Sequence, residues 1–202
     1  MKEVFLERSL QLLNKEYNYQ GDDLDRVKYG LEVIYISITK MFVILSVSII
    51  FKAFKETVLM IVFVNSLRTF AYGIHAKKSW HCYISSIICF VLSPMLFKFI
   101  EISIIQKILL SIICFISYVV FAPADTHKRP LINKEHRKKL KINTLIVCSI
   151  YIAIIFISKN TLINNMIILS MITEVFVINP IIYKIFDMPY NNYMTYQPKQ
   201  WC

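Results

Sequence analysis

The sequence predicts an all-α, polytopic integral membrane protein, with six transmembrane helices behind an N-terminal amphipathic helix. Three observations carry this. Hydrophobic residues make up 56% of the 202-residue chain, and the mean hydropathy is +0.54, above what a soluble domain of this size carries. Apolar runs close to twenty residues long recur, and about twenty helical residues cross the hydrocarbon core of a bilayer. With 3 Gly and 6 Pro in the chain, those runs read as long, unbroken helices.

The elements follow in order. Residues 2–20 read as an amphipathic helix, with Val4, Phe5, Leu6, Leu10, Leu12 and Leu13 set among Lys2, Glu3, Glu7, Arg8, Lys15 and Glu16. Such a helix suits a membrane interface, or packing on its own protein. Gly21-Asp22-Asp23 ends it, and a short charged segment follows to Glu32. Met1 to Gly30 lacks the apolar core and small-residue cleavage site of a signal peptide, so the first span is expected to be retained. Hydropathy then places spans at 33–51, 57–73, 80–100, 102–122, 143–158 and 161–182. Asn65 and Arg68 interrupt the second, and the fifth is short, so four full spans with re-entrant pieces stay open. The chain reads as one domain: an interfacial segment 1–30, a transmembrane region 33–182, and a polar, aromatic tail 183–202.

Charge sets the expected orientation. With the N-terminus inside, 16 Lys and Arg fall on cytoplasmic segments and 4 (Lys52, Lys55, Lys98 and Lys159) outside. The positive-inside rule prefers this arrangement, with both termini cytoplasmic. The formal net charge of +10 therefore reports topology and contact with anionic lipid headgroups, and does not point to nucleic acid.

The five cysteines are Cys82, Cys89, Cys114, Cys148 and Cys202. No CxxC pair occurs, so neither zinc nor a redox dithiol is suggested, and no metal or cofactor is expected. Their odd number and scattered spacing argue against a disulfide framework. Cys89, Cys114 and Cys148 lie in apolar spans and read as packing residues. Cys82 differs, because the run Arg68-Thr69-Phe70-Ala71-Tyr72-Gly73-Ile74-His75-Ala76-Lys77-Lys78-Ser79-Trp80-His81-Cys82 joins two spans and brings histidines near a thiol. A cysteine nucleophile works as thiolate with a histidine to take its proton. On one straight helix His75 and Cys82 share a face but stand roughly 10.5 Å apart along the axis. The pair therefore needs a break, and Gly73 is a helix-stopping residue. Ser79 is placed to cap the next helix, which leaves Cys82 in a first turn whose partial positive charge favours a thiolate.

Further groups remain. Arg68 lies inside a span, where it faces a partner or snorkels to the headgroups. Ala122-Pro123-Ala124-Asp125-Thr126-His127-Lys128-Arg129-Pro130-Leu131 opens a basic cytoplasmic loop that continues through Lys138, Lys139 and Lys141. That run suits headgroup anchoring, or docking of an acidic peptide. Glu174 sits in the last span, open to protonation, pairing or a polar cavity.

Two of these motifs resemble the accessory gene regulator B (AgrB) family, membrane cysteine endopeptidases of Gram-positive quorum sensing. Arg68…Gly73-Ile74-His75-Ala76-Lys77…Cys82 is similar to that family's Arg…Gly-Gly-x-His-Ala…Cys pattern, with Tyr72 standing at the first Gly. Ala122-Pro123-Ala124-Asp125…Lys128-Arg129-Pro130-Leu131 is similar to its Pro-Ala-Asp loop. The resemblance implies Cys82 as nucleophile and His75 as general base, with Arg68 and Gly73 supporting activity. Asp125 either orients His75 or shapes its loop. It further implies an AgrD-type propeptide substrate whose acidic C-terminal tail is removed through a Cys82 thioester, followed by thiolactone cyclisation, in a bacterial cell membrane. Lys128, Arg129, Lys138, Lys139 and Lys141 then offer a docking surface for that tail. Membrane lipids are the other expected partner, and a homodimer stays open. The alternative is a small transporter or membrane scaffold with structural cysteines, its path lined by Arg68, Lys107 and Glu174.

Overall fold

The computed structural model describes residues 2–17, 21–74, 79–126 and 131–195, and their regular structure is helical. Two compact units are present, Met1–Val47 and Ser48–Cys202.

The first unit holds α1 (Lys2–Tyr17) and most of α2 (Asp22–Ile50). The Phe5 and Tyr35 rings stack at 5.2 Å, tilted by 38°, and tie α1 to α2. The charged segment expected to precede the first span is continuous with it, forming one 29-residue helix. Gly30 does not interrupt it, because a lone glycine costs a helix only about 1 kcal/mol.

In the second unit, α3 (Phe54–Ala71) packs on α8 (Thr161–Ile178) and α7 (Lys134–Ile157), and α6 (Ile104–Phe121) packs on α7 and α8. Helix α4 (Ser79–Ile87) widens into a π-helical turn, Ile88–Leu92, and continues as α5 (Ser93–Phe97). Pro94, which has no N–H to give the preceding turn, follows just after it. Helix α9 (Pro180–Ile185) and the single turn α10 (Asn192–Thr195) follow α8. Asn133, Asn160 and Asn179 cap α7, α8 and α9 with their side chains, and Ser103 with Gln106 forms a capping box on α6.

Among the described residues five helices are long and apolar enough to cross a membrane: Asp23–Ile50, Trp80–Phe97, Ile104–Phe121, Lys134–Ile157 and Thr161–Ile178. The chain is a polytopic membrane protein. The remaining expected span, α3, is 18 residues long but carries Lys55, Glu56 and Arg68. Its Met60, Val64, Leu67 and Ala71 are buried against protein. The face of α6 bearing Ile105, Ile108, Leu109, Ile112, Ile113 and Ile116 is exposed, as a lipid-facing surface must be. The short fifth span is the apolar part of the 24-residue α7, whose first turns carry the basic run.

Helices surrounded by hydrocarbon associate through packing and side-chain hydrogen bonds. Tyr118 Oη donates to the Met171 carbonyl at 2.9 Å, and Tyr151 Oη to the Phe63 carbonyl at 3.1 Å. At the end away from Gly73, Asn165 Nδ2 donates to the carbonyls of Phe97 (3.2 Å) and Ile100 (2.9 Å), and Lys98 pairs with Glu56 at 2.9 Å. That end is pinned by side chains bonding to backbone, leaving the opposite end to loops.

Candidate active site

The opposite end gathers the C-termini of α3, α6 and α8. Helix α3 stops at Ala71, because Tyr72 (φ 62°) and Gly73 (φ 121°) leave the helical region. The left-handed backbone at Tyr72 is the conformation a glycine adopts freely, which accounts for a Gly at this place in the family pattern it departs from. Helix α4 resumes at Ser79, so the break that the Cys/His pair requires is present.

Between the helices the backbone is gripped from three sides. The Ala124 N–H donates to the Ala71 carbonyl at 2.9 Å, and the Gly73 N–H to the Ala124 carbonyl at 2.9 Å. These bonds form a parallel bridge between Tyr72 and Ala124. The Ile74 N–H donates to the Val177 carbonyl at 3.2 Å. That carbonyl is left over because α8 ends at Ile178 and the Ile181 N–H turns to the Asn179 side chain. Finally, Arg68 Nη2 donates to the Ile74 carbonyl at 2.8 Å. Ile74 thus has both backbone groups bonded, one residue before His75. His75 itself, with Lys128 and Arg129, lies outside the described residues.

Gly73 fits this place on two grounds. Its φ is 121°, and a Cβ there would stand 2.7 Å from Val177 Cγ1 and 3.2 Å from the Val177 carbonyl oxygen. The close approach of strand to helix end needs a residue without a side chain.

Asp125 is 2% exposed and its carboxylate is a clasp. Oδ1 accepts from the Asn192 N–H (2.9 Å) and Asn192 Nδ2 (3.2 Å). Oδ2 accepts from the Tyr193 N–H (2.8 Å) and the Leu131 N–H (3.4 Å). Its carbonyl accepts from Tyr183 Oη at 3.0 Å. Burial first, then the charge of Asp125, push the Tyr183 phenol above its ordinary pKa, so it stays a donor. The guanidinium of Arg137 lies 3.6 Å over the Tyr193 ring. The carboxylate's four acceptor positions are thereby filled, and they fasten Asp125 to Leu131 and to the C-terminal segment. Sequence reasoning missed Asn192 and Tyr193. The Asn191-Asn192 pair signals a turn, but its partner is 67 positions away. An Asp125→Asn substitution would place an amide donor against a backbone N–H, at a cost of about 2–3 kcal/mol. Hydrogen exchange at the Asn192 and Tyr193 amides is expected to accelerate and the melting temperature to fall. Unchanged protection would show that the clasp is not formed.

Cys82 is the fourth residue of α4, partly exposed. The four residues between Ile74 and Ser79 limit their separation to roughly 18 Å, which keeps the start of α4 near the gripped strand. His81 is exposed and stacks on Trp80 at 3.8 Å between centroids. His136, Lys138 and Lys139 lie exposed on the first turns of α7, and Lys141 is half-exposed. Glu174 is fully buried and lies 3.8 Å from Arg68 Nη1. Lys107 does not join them: it sits in the first turn of α6, about four turns from the site end. Of the three charges of the transporter reading, Arg68 and Glu174 thus stand together and Lys107 stands apart. Among the described residues no group of His, Cys, Asp and Glu is arranged to hold a metal ion.

Residues 6–178 match the family model for accessory gene regulator B. The chain is 35% identical over 199 residues to an AgrB-like protein of Listeria innocua, covering 95% of each chain. It is 34% identical over 185 residues to an AgrB-like protein of Clostridium acetobutylicum, covering 92% of this chain and 88% of that one. Accessory gene regulator protein B of Staphylococcus carnosus is 34% identical over 149 residues, covering 74% of this chain and 78% of its own. No solved structure matches the chain.

Proposed function

Because the chain belongs to the accessory gene regulator B family and so to the agr quorum-sensing system, we propose that it is the membrane cysteine endopeptidase that trims an AgrD-type propeptide. The observation that carries this reading is the convergence of Arg68, Ala124 and Val177 on the backbone just before His75, with Cys82 in the first turn of the next helix. Groups that hold the backbone leading into His75 from three directions suit a general base that must be placed to within a fraction of an ångström.

The Cys82 thiol gives its proton to His75, and the thiolate attacks the scissile carbonyl carbon. The first-turn N–H groups of α4 favour the negative charge on sulfur and then on the oxyanion. When the tetrahedral species collapses, the C–N bond breaks, His75 returns the proton to the departing amine, and an acyl thioester remains on Cys82. The propeptide's own cysteine thiol then attacks that thioester. The acyl group moves to its sulfur as a thiolactone, and the proton returns to Cys82. Exchange of one thioester for another is nearly isoenergetic, so exclusion of water at the membrane boundary decides cyclisation over hydrolysis. The charge bias supports a cytoplasmic site and cytoplasmic termini. The basic start of α7, with Lys138, Lys139 and Lys141, extended by Lys128 and Arg129, is suited to an acidic tail.

One labelling experiment tests this reading. In lipid vesicles, iodoacetamide at neutral pH is expected to modify Cys82 at least about tenfold faster than Cys89, Cys114 or Cys148, of which the last two are buried. A synthetic acidic-tailed propeptide is expected to protect Cys82, and less so in the K138E/K139E/K141E variant. Equal, slow labelling at all four positions would favour a structural role for the cysteines.

A further inference from the structure

We propose that Glu174 is a positioning residue for the Cys82–His75 chemistry: its carboxylate fixes the Arg68 guanidinium, which holds the Ile74 carbonyl and so the segment that leads into His75. This rests on the peptidase reading. Glu174 is fully buried in α8, and among the described residues neither carboxylate oxygen has a hydrogen-bond donor. Among the described residues, Arg68 Nη1 stands in ion-pair reach of it at 3.8 Å. A carboxylate in an apolar layer requires such a compensating cation. The need runs both ways, because Arg68 is long, its side chain is 28% exposed, and without an inner partner it would extend to the headgroups.

One planar guanidinium makes both contacts, Nη1 toward Glu174 and Nη2 to the Ile74 carbonyl at 2.8 Å. Its fork is rigid, so fixing one edge orients the other. Helix α8 also touches the same strand directly, one turn further on, where the Val177 carbonyl accepts the Ile74 N–H. Through Glu174 and Val177, α8 therefore sets both backbone groups of the residue before His75. Glu174 itself contacts no reacting atom and acts through Arg68.

The test uses the full chain in phosphatidylglycerol–phosphatidylethanolamine vesicles and two readouts. These are hydrogen exchange over residues 72–78 and the rate of iodoacetamide alkylation at Cys82, which follows its thiolate fraction. Glu174→Gln is expected to speed exchange in that segment and slow Cys82 alkylation about tenfold, matching Arg68→Gln. Glu174→Asp is expected to recover most of the rate. The R68Q/E174Q variant, with no unpaired buried charge left to disturb folding, is expected to be no slower than R68Q alone. Continued slow labelling of buried Cys114 reports an intact fold, and where E174Q fails that check the double variant decides. Unchanged exchange in E174Q overturns the proposal, as does a wild-type alkylation rate beside a slow H75A variant, or additive losses in the double variant. If H75A itself alkylates at the wild-type rate, the peptidase reading fails first and the role of Glu174 in it falls too.

Discussion

Replacing Cys82 with alanine is expected to lower propeptide cleavage on the order of 10⁴-fold or more, the scale seen when a covalent nucleophile is removed. The fold should survive, because Cys82 is partly exposed at a helix start and its loss leaves no core cavity. Cys82→Ser should also be nearly inactive, since a hydroxyl at this site has neither the acidity nor the nucleophilicity of a thiol. Cys89→Ala supplies the contrast, as this thiol lies in the π-helical turn of the span, and activity should stay near the wild-type level. The comparison is read as released acidic tail per unit of folded protein. Cleavage by Cys82→Ala at even a few per cent of the wild-type rate would exclude the thioester route.

The second large effect is expected at Gly73. An alanine there must adopt a φ of 121° with its Cβ 2.7 Å from Val177 Cγ1. Backbone strain alone costs about 1–3 kcal/mol, and the steric contact adds to it. The cheapest relief is a shift of the strand away from α8, which breaks the Ile74–Val177 bond and displaces His75. A displacement near 1 Å costs on the order of 100-fold in rate, so activity should fall further than stability does. Val177→Ala in the same chain removes the 2.7 Å contact but neither the strain nor the carbonyl at 3.2 Å, so it should recover part of the loss. Gly30→Ala is the control: a Cβ there meets nothing within 4 Å, and within α2 the change should be neutral or mildly stabilising. A fully active Gly73→Ala enzyme would show that the strand is not held as described.

Much of this is legible in the sequence, for physical reasons. The break between α3 and α4 is written locally, since Gly73 stops one helix and α4 begins at Ser79. The end of α8 is less plain: the expected span 161–182 runs through Asn179-Pro180, whereas α8 stops at Ile178, Asn179 caps α9 and Pro180 starts it. Burial of α3 is less visible, because Lys55, Glu56 and Arg68 look like interruptions of a span until Lys98 and Glu174 are seen opposite two of them. The role of Asp125 is only half legible, since the sequence leaves it either orienting His75 or shaping its loop. The structure fills its carboxylate with four donors, one from Leu131 and three from Asn192 and Tyr193 in the C-terminal segment. Two of those residues lie more than 65 positions away, and no local pattern encodes such a pairing. Nor does the polar, aromatic composition of the tail show that Asn192 is buried, at 5% exposure.

The central claim is that a peptide acyl group passes through the sulfur of Cys82. The most direct measurement is mass spectrometry of the intact protein, quenched in acid after brief incubation with a propeptide whose own cysteine is replaced by serine. The account predicts an adduct equal to the propeptide without its acidic tail, mapped to the Cys82 peptide, released by hydroxylamine, and absent from Cys82→Ala. Release of the tail with no adduct at Cys82, or an adduct that persists in Cys82→Ala, would contradict it.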